Sequence, residues 1–535
     1  MLVTEPAFTD DSRHAALARL RAEEFDVLIL GGGINGAGIA RDLCLRARIA
    51  GRPLRVALVE QRHFASGTSG KNSQLIHGGL RYLKYLEFHL VREALRERAT
   101  LLEIAPHLVE PLPFLIPFDT QWARFYYGAG LVLYDLLAGK RNIGHRRSLS
   151  RDEMARLEPG FALDRLAAAA IYYDAAVHSA RLVLENVFDA VRDGAVAANY
   201  VRAEKKVRRG DRFEVALRDM LTGESFPATA RKLVDTTGPW QRESPLRLVR
   251  GSHIILPRLN ASDHAIAHFG KDGRIIFIIP WGEKKNLSLV GTTDYDHESG
   301  PDEVRISADE IRYLLNAVEL LYPNSRGQRL ISAFSSLRPL VKEEKHSATQ
   351  TSREHRIWNS GEGVLYVAGG KYTTYRLMSE EAADLVCREL APPLAGACRT
   401  KEEPLGGNSW EWLKKTLESA PKLAREHGLK EAEVSILIRR YGRLISALLG
   451  GLEREPFPGL GTIESAVVRF AVEHEMARRL ADVLFVSTYW GYEREWSAET
   501  LGPISRAMGE LLGWSDEKRD EEVRLVLDLL AIPDY

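Results

Sequence analysis

Gly31, Gly33 and Gly36 come directly after the apolar run Phe25 to Leu30 with the spacing G-x-G-x-x-G, and this is the pattern in the chain most able to organise a ligand. The first glycine suits a tight strand-to-helix turn. The second removes a side chain from the path of a phosphate, and the third lets helix and strand pack closely. The helix that Ile34 and Asn35 begin turns its N-terminal amides toward the anion. A second apolar run ends in Glu60, whose carboxylate can accept ribose hydroxyls and would repel a 2′-phosphate. FAD or NAD is therefore expected rather than NADP. The bland alternative is a glycine-rich turn that holds no ligand.

The stretch after Glu60 separates flavin from nicotinamide. Ser66 to Ser73 is a run of small polar residues, among them Thr68, Ser69 and Ser73, whose amides and hydroxyls suit a second approach to a cofactor. Asp235 to Trp240 reads as a strand end and turn in which Gly238 permits close approach. Farther on, Gly369 and Gly370 close a strand just before Lys371 and a helix holding Thr373, and a helix N-terminus there would stabilise charge on a reduced isoalloxazine ring. Segments converging in this way point to FAD. The three cysteines, Cys44, Cys387 and Cys398, have no paired spacing, so no metal site, iron-sulfur centre or disulfide framework is expected. Their pattern fits a reducing compartment.

These groups need elements to hold them. Phe25 to Leu30, a helix to Arg46, and Leu54 to Glu60 read as strand, helix, strand. A helix is expected over Glu87 to Ile104, then a stretch from Val109 to Pro117 whose prolines should break regular structure. An amphipathic helix is expected from Gln121 to Ala138. Arg231 to Asp235 and Val364 to Ala368 read as strands, with Arg274 to Pro280 and Leu287 to Thr292 as a hairpin pair and a helix from about Thr373 to Leu390. Beyond Pro393 the blocks Ala432 to Ile445, Thr462 to Val486 and Asp520 to Leu530 read as helical. The fold class is α/β. An FAD-binding Rossmann-like domain (segments about 25–110, 170–245 and 350–390) surrounds an inserted mixed-sheet substrate domain (about 246–349). A leader covers 1–24 and a helical C-terminal domain 391–535.

Lys+Arg and Asp+Glu each number 73 of 535 residues, so no global field attracts nucleic acid, and none is expected as a partner. The leader has no apolar core of a secretion signal, and no stretch reaches the roughly 18 to 20 apolar residues that span a bilayer. A cytoplasmic location is expected, with peripheral membrane contact left open. Gln121 to Ala138 carries Trp122, Phe125, Tyr126, Leu131, Val132 and Leu133, and it precedes the basic cluster Lys140, Arg141, His145, Arg146 and Arg147. Interfacial helices combine an apolar face with adjoining cations, so an anionic membrane surface is one reading. A helix packed on the core beside a solvated loop is the other.

Residues 31–40 (GGGINGAGIA), 75–83 (LIHGGLRYL) and 369–376 (GGKYTTYR) closely resemble the FAD-dependent glycerol-3-phosphate dehydrogenases. The likeness continues through 235–240, 250–253, 291–294, 337–340, 352–353 and, in the helical tail, 471–478. It covers about 25 to 485. The resemblance implies oxidation of sn-glycerol 3-phosphate to dihydroxyacetone phosphate, with electrons passing through FAD to a membrane quinone. It also implies the two-domain flavoprotein fold shared with amino-acid oxidases. A homodimer, peripheral on the inner face of the membrane, is the expected assembly.

A dianionic phosphate ester on a small diol calls for several cations and one group to manage the hydroxyl proton. By resemblance, Arg81, Arg338, Arg353 and Lys371 converge on the substrate, with Arg338 foremost, although each is of a type that usually ends in an exposed salt bridge. His77 and Arg81 stand four apart and would share a face if a helix begins there. His77, Arg81 and Arg338 are the candidate catalytic residues. His253 is a second candidate base, or else a hydrogen-bonded core histidine, and Tyr82 either touches substrate or packs. A glycerol-3-phosphate oxidase using oxygen is the nearest alternative, though the insertion of such oxidases is missing from this chain. A non-catalytic FAD-binding protein is the alternative of another class, disfavoured because all four cations are present. An amino-acid or 2-hydroxy-acid oxidase would need only one arginine for a carboxylate.

Overall fold

A computed structural model describes residues 9–80, 83, 87–241, 246–270, 274–342, 354–390, 392–394 and 396–535. Its strands in chain order are β1 (Glu24–Leu30), β2 (Val56–Val59), β3 (Leu75–Ile76), β4 (Val109–Phe118), β5 (Arg147–Leu149), β6 (Ala168–Val177), β7 (Val196–Ala198), β8 (Val201–Arg209) and β9 (Arg212–Asp219). They continue as β10 (Ser225–Asp235), β11 (Leu246–Pro257), β12 (Ala265–Phe269), β13 (Ile275–Trp281), β14 (Leu287–Gly291), β15 (Tyr295–Asp296), β16 (Ser332–Val341), β17 (His355–Asn359) and β18 (Val364–Gly369).

Among the described residues these strands form two sheets. In the first, the order β17-β18-β10-β1-β2-β7 has a parallel centre, and β8 and β9 extend from β10. The central strand β2 (VALV) is buried throughout, as a strand covered on both faces of a parallel sheet requires. The second runs β15-β11-β14-β13-β12-β4-β6-β3, with β16 on β11 and β5 on β6. The hairpin read at 274–292 is present as β13 and β14, with Trp281 opposite Leu287.

Helices follow the same order: α1 (Asp10–Ala22), α2 (Ile34–Ile49), α3 (Phe88–Ile104), α4 (Gln121–Ala138), α5 (Arg151–Leu157), α6 (Ser179–Arg192), α7 (Ala308–Leu321) and α8 (Tyr375–Glu389). α4 has the bounds read from its amphipathic pattern. The chain from Trp410 onward is helical, closing with Asp516–Leu530.

Four readings change. Val109–Phe118 is a ten-residue strand rather than a proline-broken stretch. Pro111, Pro113 and Pro117 share one parity, so their missing N–H groups all point away from β6. On that far side β12 meets only Phe114 and Leu115. The second sheet consequently draws β3 to β6 from the first third of the chain, in addition to 246–341. Within the segment read as a leader, α1 packs Leu20 beside Phe25 and Leu28, and buried Arg13 pairs with Asp219 at 2.8 Å. The block expected over 462–486 breaks after His474, where Met476 takes a left-handed φ of 60°.

Candidate active site

The carboxyl ends of β2, β1, β10 and β18 lie side by side, which is where an open parallel sheet binds nucleotides. Glu60 comes directly after the first of these strands, Gly31 after the second, Asp235 ends the third and Gly369 the fourth. Gly31 has φ +101°, and a Cβ at Gly36 would collide with the Gly31 carbonyl oxygen, so this turn requires both glycines. A Cβ at Gly33 would meet only the Ser69 side chain, its hydroxyl at 3.0 Å. Gly33 caps α2 with no side-chain hydrogen bond, and the first turn, with Asn35 in it, has no acidic residue. The turn is therefore a run of backbone amides at a helix N-terminus whose own capping residue has no side chain, the kind of donor set that a pyrophosphate needs.

Glu60 accepts from the Gly32 N–H (2.7 Å) and the Arg62 N–H (2.8 Å). Desolvation pushes its carboxyl above the usual range while these amides pull the other way. Ser69 Oγ accepts from the Ile34 N–H at 3.0 Å, joining the polar run to the glycine turn. Thr68 donates to the Leu337 carbonyl (2.6 Å) and Ser73 Oγ lies 2.8 Å from His253 Nε2, so the same run also reaches the second sheet. Gly238 opens a short helical turn beside Pro339.

Gly369 and Gly370 both have left-handed φ, 75° and 78°, which carries the chain from β18 to Lys371. Lys371 caps the turn Tyr372–Thr374, and its Nζ lies 3.5 Å from the Leu90 carbonyl on α3. Thr373 Oγ1 accepts from the His77 N–H (3.1 Å) and donates to the His77 carbonyl (3.2 Å). His77 is in a loop, with Gly79 at φ 78°, so His77 is not itself on a helix. Arg81, Tyr82 and Arg353 lie outside the described residues.

Arg338 on β16 donates from Nη1 to the Thr293 carbonyl (3.0 Å) and Asp294 Oδ1 (2.9 Å), and from Nη2 to Thr292 Oγ1 (2.8 Å). His253, on the adjoining β11, is buried and stacked on Phe334. Burial and the charge of Arg338 push its imidazole down to about 3, so it is neutral at working pH. A group with that pKa is a poor general base near neutrality. Its Nδ1 is buried without a hydrogen-bond partner among the described residues.

Lys71, in the polar run, carried no assignment from sequence. Burial and the nearby Arg62 charge lower its ammonium to about 8. Lysine in a loop of serines and glycine looks like an ordinary solvated residue, and no local signal marks it. Tyr489, from the helical tail, donates to the Gly70 carbonyl (3.1 Å) and accepts from the Ala180 N–H (3.1 Å), so the tail also supports this loop.

The sequence comparisons agree with this geometry. The family model of FAD-dependent oxidoreductases matches residues 26–376, and that of the C-terminal domain of alpha-glycerophosphate oxidase matches 398–519. Glycerol-3-phosphate dehydrogenase 2 of Mycobacterium tuberculosis is 33% identical over 537 residues, covering 96% of this chain and 89% of its own length. Glycerol-3-phosphate dehydrogenase of Synechocystis is 35% identical, covering 96% and 98%. The chain belongs to the FAD-dependent glycerol-3-phosphate dehydrogenase family. A glycerol-3-phosphate dehydrogenase from Bacillus halodurans, solved in complex with FAD, superposes with a TM-score of 0.80 at 26% identity over 98% of both chains. This chain is thus an enzyme of that family with FAD as its cofactor, and the amide cradle, Glu60 and the glycine pair before Lys371 are chemically suited to hold it.

Proposed function

We propose that the chain oxidises sn-glycerol 3-phosphate to dihydroxyacetone phosphate and passes the electrons to a membrane quinone. Bound FAD supplies the hydride acceptor, at flavin N5. Gly31, Gly33, Ile34, Asn35 and Gly36 would hold its pyrophosphate and Glu60 its ribose. Thr68, Ser69, Ser73, Gly238, Gly369, Gly370, Lys371 and Thr373 would line the remainder, and Lys71 would add a cation to the polar run.

The observation that carries this reading is Arg338. Its guanidinium is fixed by Thr292, Thr293 and Asp294 beside neutral His253, which contacts Ser73 of the cofactor run. A phosphate dianion needs a cation of fixed geometry at the seam between cofactor loop and second sheet. Arg81, Arg353 and Lys371 are proposed to join it, with Tyr82 and His253 as further contacts. His77 is proposed as the base, because the alternative, His253, is too weakly basic in its buried setting beside Arg338.

The test is anaerobic reduction. Glycerol 3-phosphate added to the purified yellow protein should bleach the flavin absorbance, and a soluble quinone should restore it faster than air-saturated buffer does. Unchanged absorbance would end the substrate reading. Faster recovery in air would favour the oxygen-using alternative, which the match to the oxidase C-terminal domain keeps in view.

Among the described residues no helix is long and apolar enough to cross a membrane. α4 nevertheless exposes Trp122 (70%), Phe125 (78%) and Leu136 (71%) with Tyr126 and Val132, while Leu131, expected on this face, turns inward and is buried. The exposed basic residues Lys140, Arg141, His145, Arg146 and Arg147 come next. An aromatic face beside cations suits an anionic lipid surface, where the quinone resides. On this reading the enzyme sits peripherally on the inner face, with a second copy of the chain as its expected partner. Wild type should float with anionic vesicles at low salt and Trp122→Ala/Phe125→Ala should sediment. Failure of wild type to float would remove α4 from this role.

A further inference from the structure

α4 has an inner face as well as the exposed one. It packs on α3 and β6, and there Tyr134 is buried. The Tyr134 hydroxyl donates to Asp174 Oδ1 at 2.6 Å and accepts from the Gly78 N–H at 2.9 Å. Asp174 Oδ1 also receives Arg98 Nη1 at 2.6 Å and lies 3.1 Å from the Gly78 nitrogen. Groups from α4, β6, α3 and the loop after β3 therefore meet at one carboxylate oxygen. Arg98 and Tyr134 are among the most completely buried large side chains of the protein.

An apolar seam would hold α4 in place equally well, since burying a charged pair is often no more stabilising than hydrophobic residues of the same volume. Leu131 and Ala138 already supply apolar contact on that face. What the polar cluster adds is direction, because a hydrogen bond fixes the orientation of the Gly78 amide and apolar contact does not. Gly78 is pressed against its partner so closely that a Cβ there would collide with the Tyr134 hydroxyl and with Leu95. His77, the preceding residue, is held at both its N–H and its carbonyl by Thr373. The loop is thus clamped between the cofactor side and α4.

We propose that Tyr134 is a positioning residue of the substrate site: through Gly78 it fixes the loop that carries His77, and it makes the seating of the surface helix α4 felt at that loop. This rests on the reading that His77 faces the substrate.

Tyr134→Phe, in the full FAD-loaded chain, removes one oxygen and adds no volume. Asp174 keeps Arg98 and the Gly78 amide, so the fold should persist. Hydrogen exchange at Gly78 should accelerate about tenfold, the effect of one lost hydrogen bond in a charged network, while exchange across α4 and flavin content stay as in wild type. kcat/KM for glycerol 3-phosphate should fall by a similar factor. Acceleration spread evenly over α3, α4 and β6 would mean a structural prop and would overturn the proposal. So would unchanged exchange at Gly78, or faster exchange there with unchanged kcat/KM. A wild-type protein that fails to oxidise glycerol 3-phosphate would sink the functional reading instead, and the exchange data alone would still decide whether Tyr134 fixes the loop.

Discussion

Arg338→Met will lower kcat/KM for glycerol 3-phosphate by about thirty- to several-thousand-fold while the flavin stays bound. Losing one partner of a hydrogen-bonded charge pair costs roughly 2 to 5 kcal/mol, and each 1.4 kcal/mol is about tenfold. Two effects add in this variant. On the proposed reading the substrate phosphate loses a donor, and Asp294, nearly buried at 6% exposure, loses the cation that now pairs with it. Arg338→Lys separates them, since lysine keeps the charge near Asp294 but cannot reproduce the fork that spans Thr292, Thr293 and Asp294. The kcat/KM of this lysine variant should lie between those of the methionine variant and wild type. Glycerol, which lacks the phosphate, should be a poor substrate for all three proteins and lose far less on substitution. Proportional losses that match on the two substrates, or flavin released from the methionine variant, would reject the phosphate anchor.

The site was legible where its physical requirement is local. Gly31 needs a left-handed turn and Gly36 a contact with its own turn, so both constraints lie within six residues of sequence and survive without any partner. Glu60 could be read because the strand ending there continues the same motif. His253 shows the opposite case. Whether it is a base or a core histidine depends on Ser73, Phe334 and Arg338, each some 80 to 180 positions away along the chain, and no spacing rule reaches that far. The same limit applies to Val109–Phe118. Its prolines look like breakers until β6 is known to lie on one side of them and little on the other. α4 was legible as a helix, but its inward edge was not, because Tyr134 and Leu131 are drawn in by Asp174 and the core, which the helical period alone does not locate. Arg81, Tyr82 and Arg353 keep their proposed roles from resemblance alone.

Glu475→Leu should be the most destabilising single change in the helical tail. Glu475 lies in the 471–478 segment that resembles the family, and its carboxylate pairs with Arg181 of α6, both side chains being 0% exposed. Arg181 also lies over the Tyr441 ring at 4.8 Å, and its Nε and Nη2 have no hydrogen-bond partner among the described residues. Without Glu475 the guanidinium keeps, among the described residues, Glu185, 4.0 Å from Nε, as its ion-pairing carboxylate. Breaking a buried pair from one side costs about 3 to 5 kcal/mol, and about 2 to 4 °C per kcal/mol for a unit of this size gives an apparent Tm lower by roughly 6 to 20 °C. The damage should extend to the cofactor. Arg181 comes after Ser179 and Ala180, and the Tyr489 hydroxyl that touches both of these also holds the Gly70 carbonyl in the cofactor run. Flavin should therefore dissociate at a lower temperature in the variant than in wild type. The double variant Arg181→Met/Glu475→Leu removes both charges and should recover most of the loss, because an apolar pair of similar volume replaces a buried ion pair at little net cost. Thermal melting followed in parallel by far-ultraviolet circular dichroism and by flavin fluorescence reads both effects. A single variant within about 1 kcal/mol of wild type, or a double variant as unstable as the single one, would show that this ion pair is not what fastens the helical tail to α6.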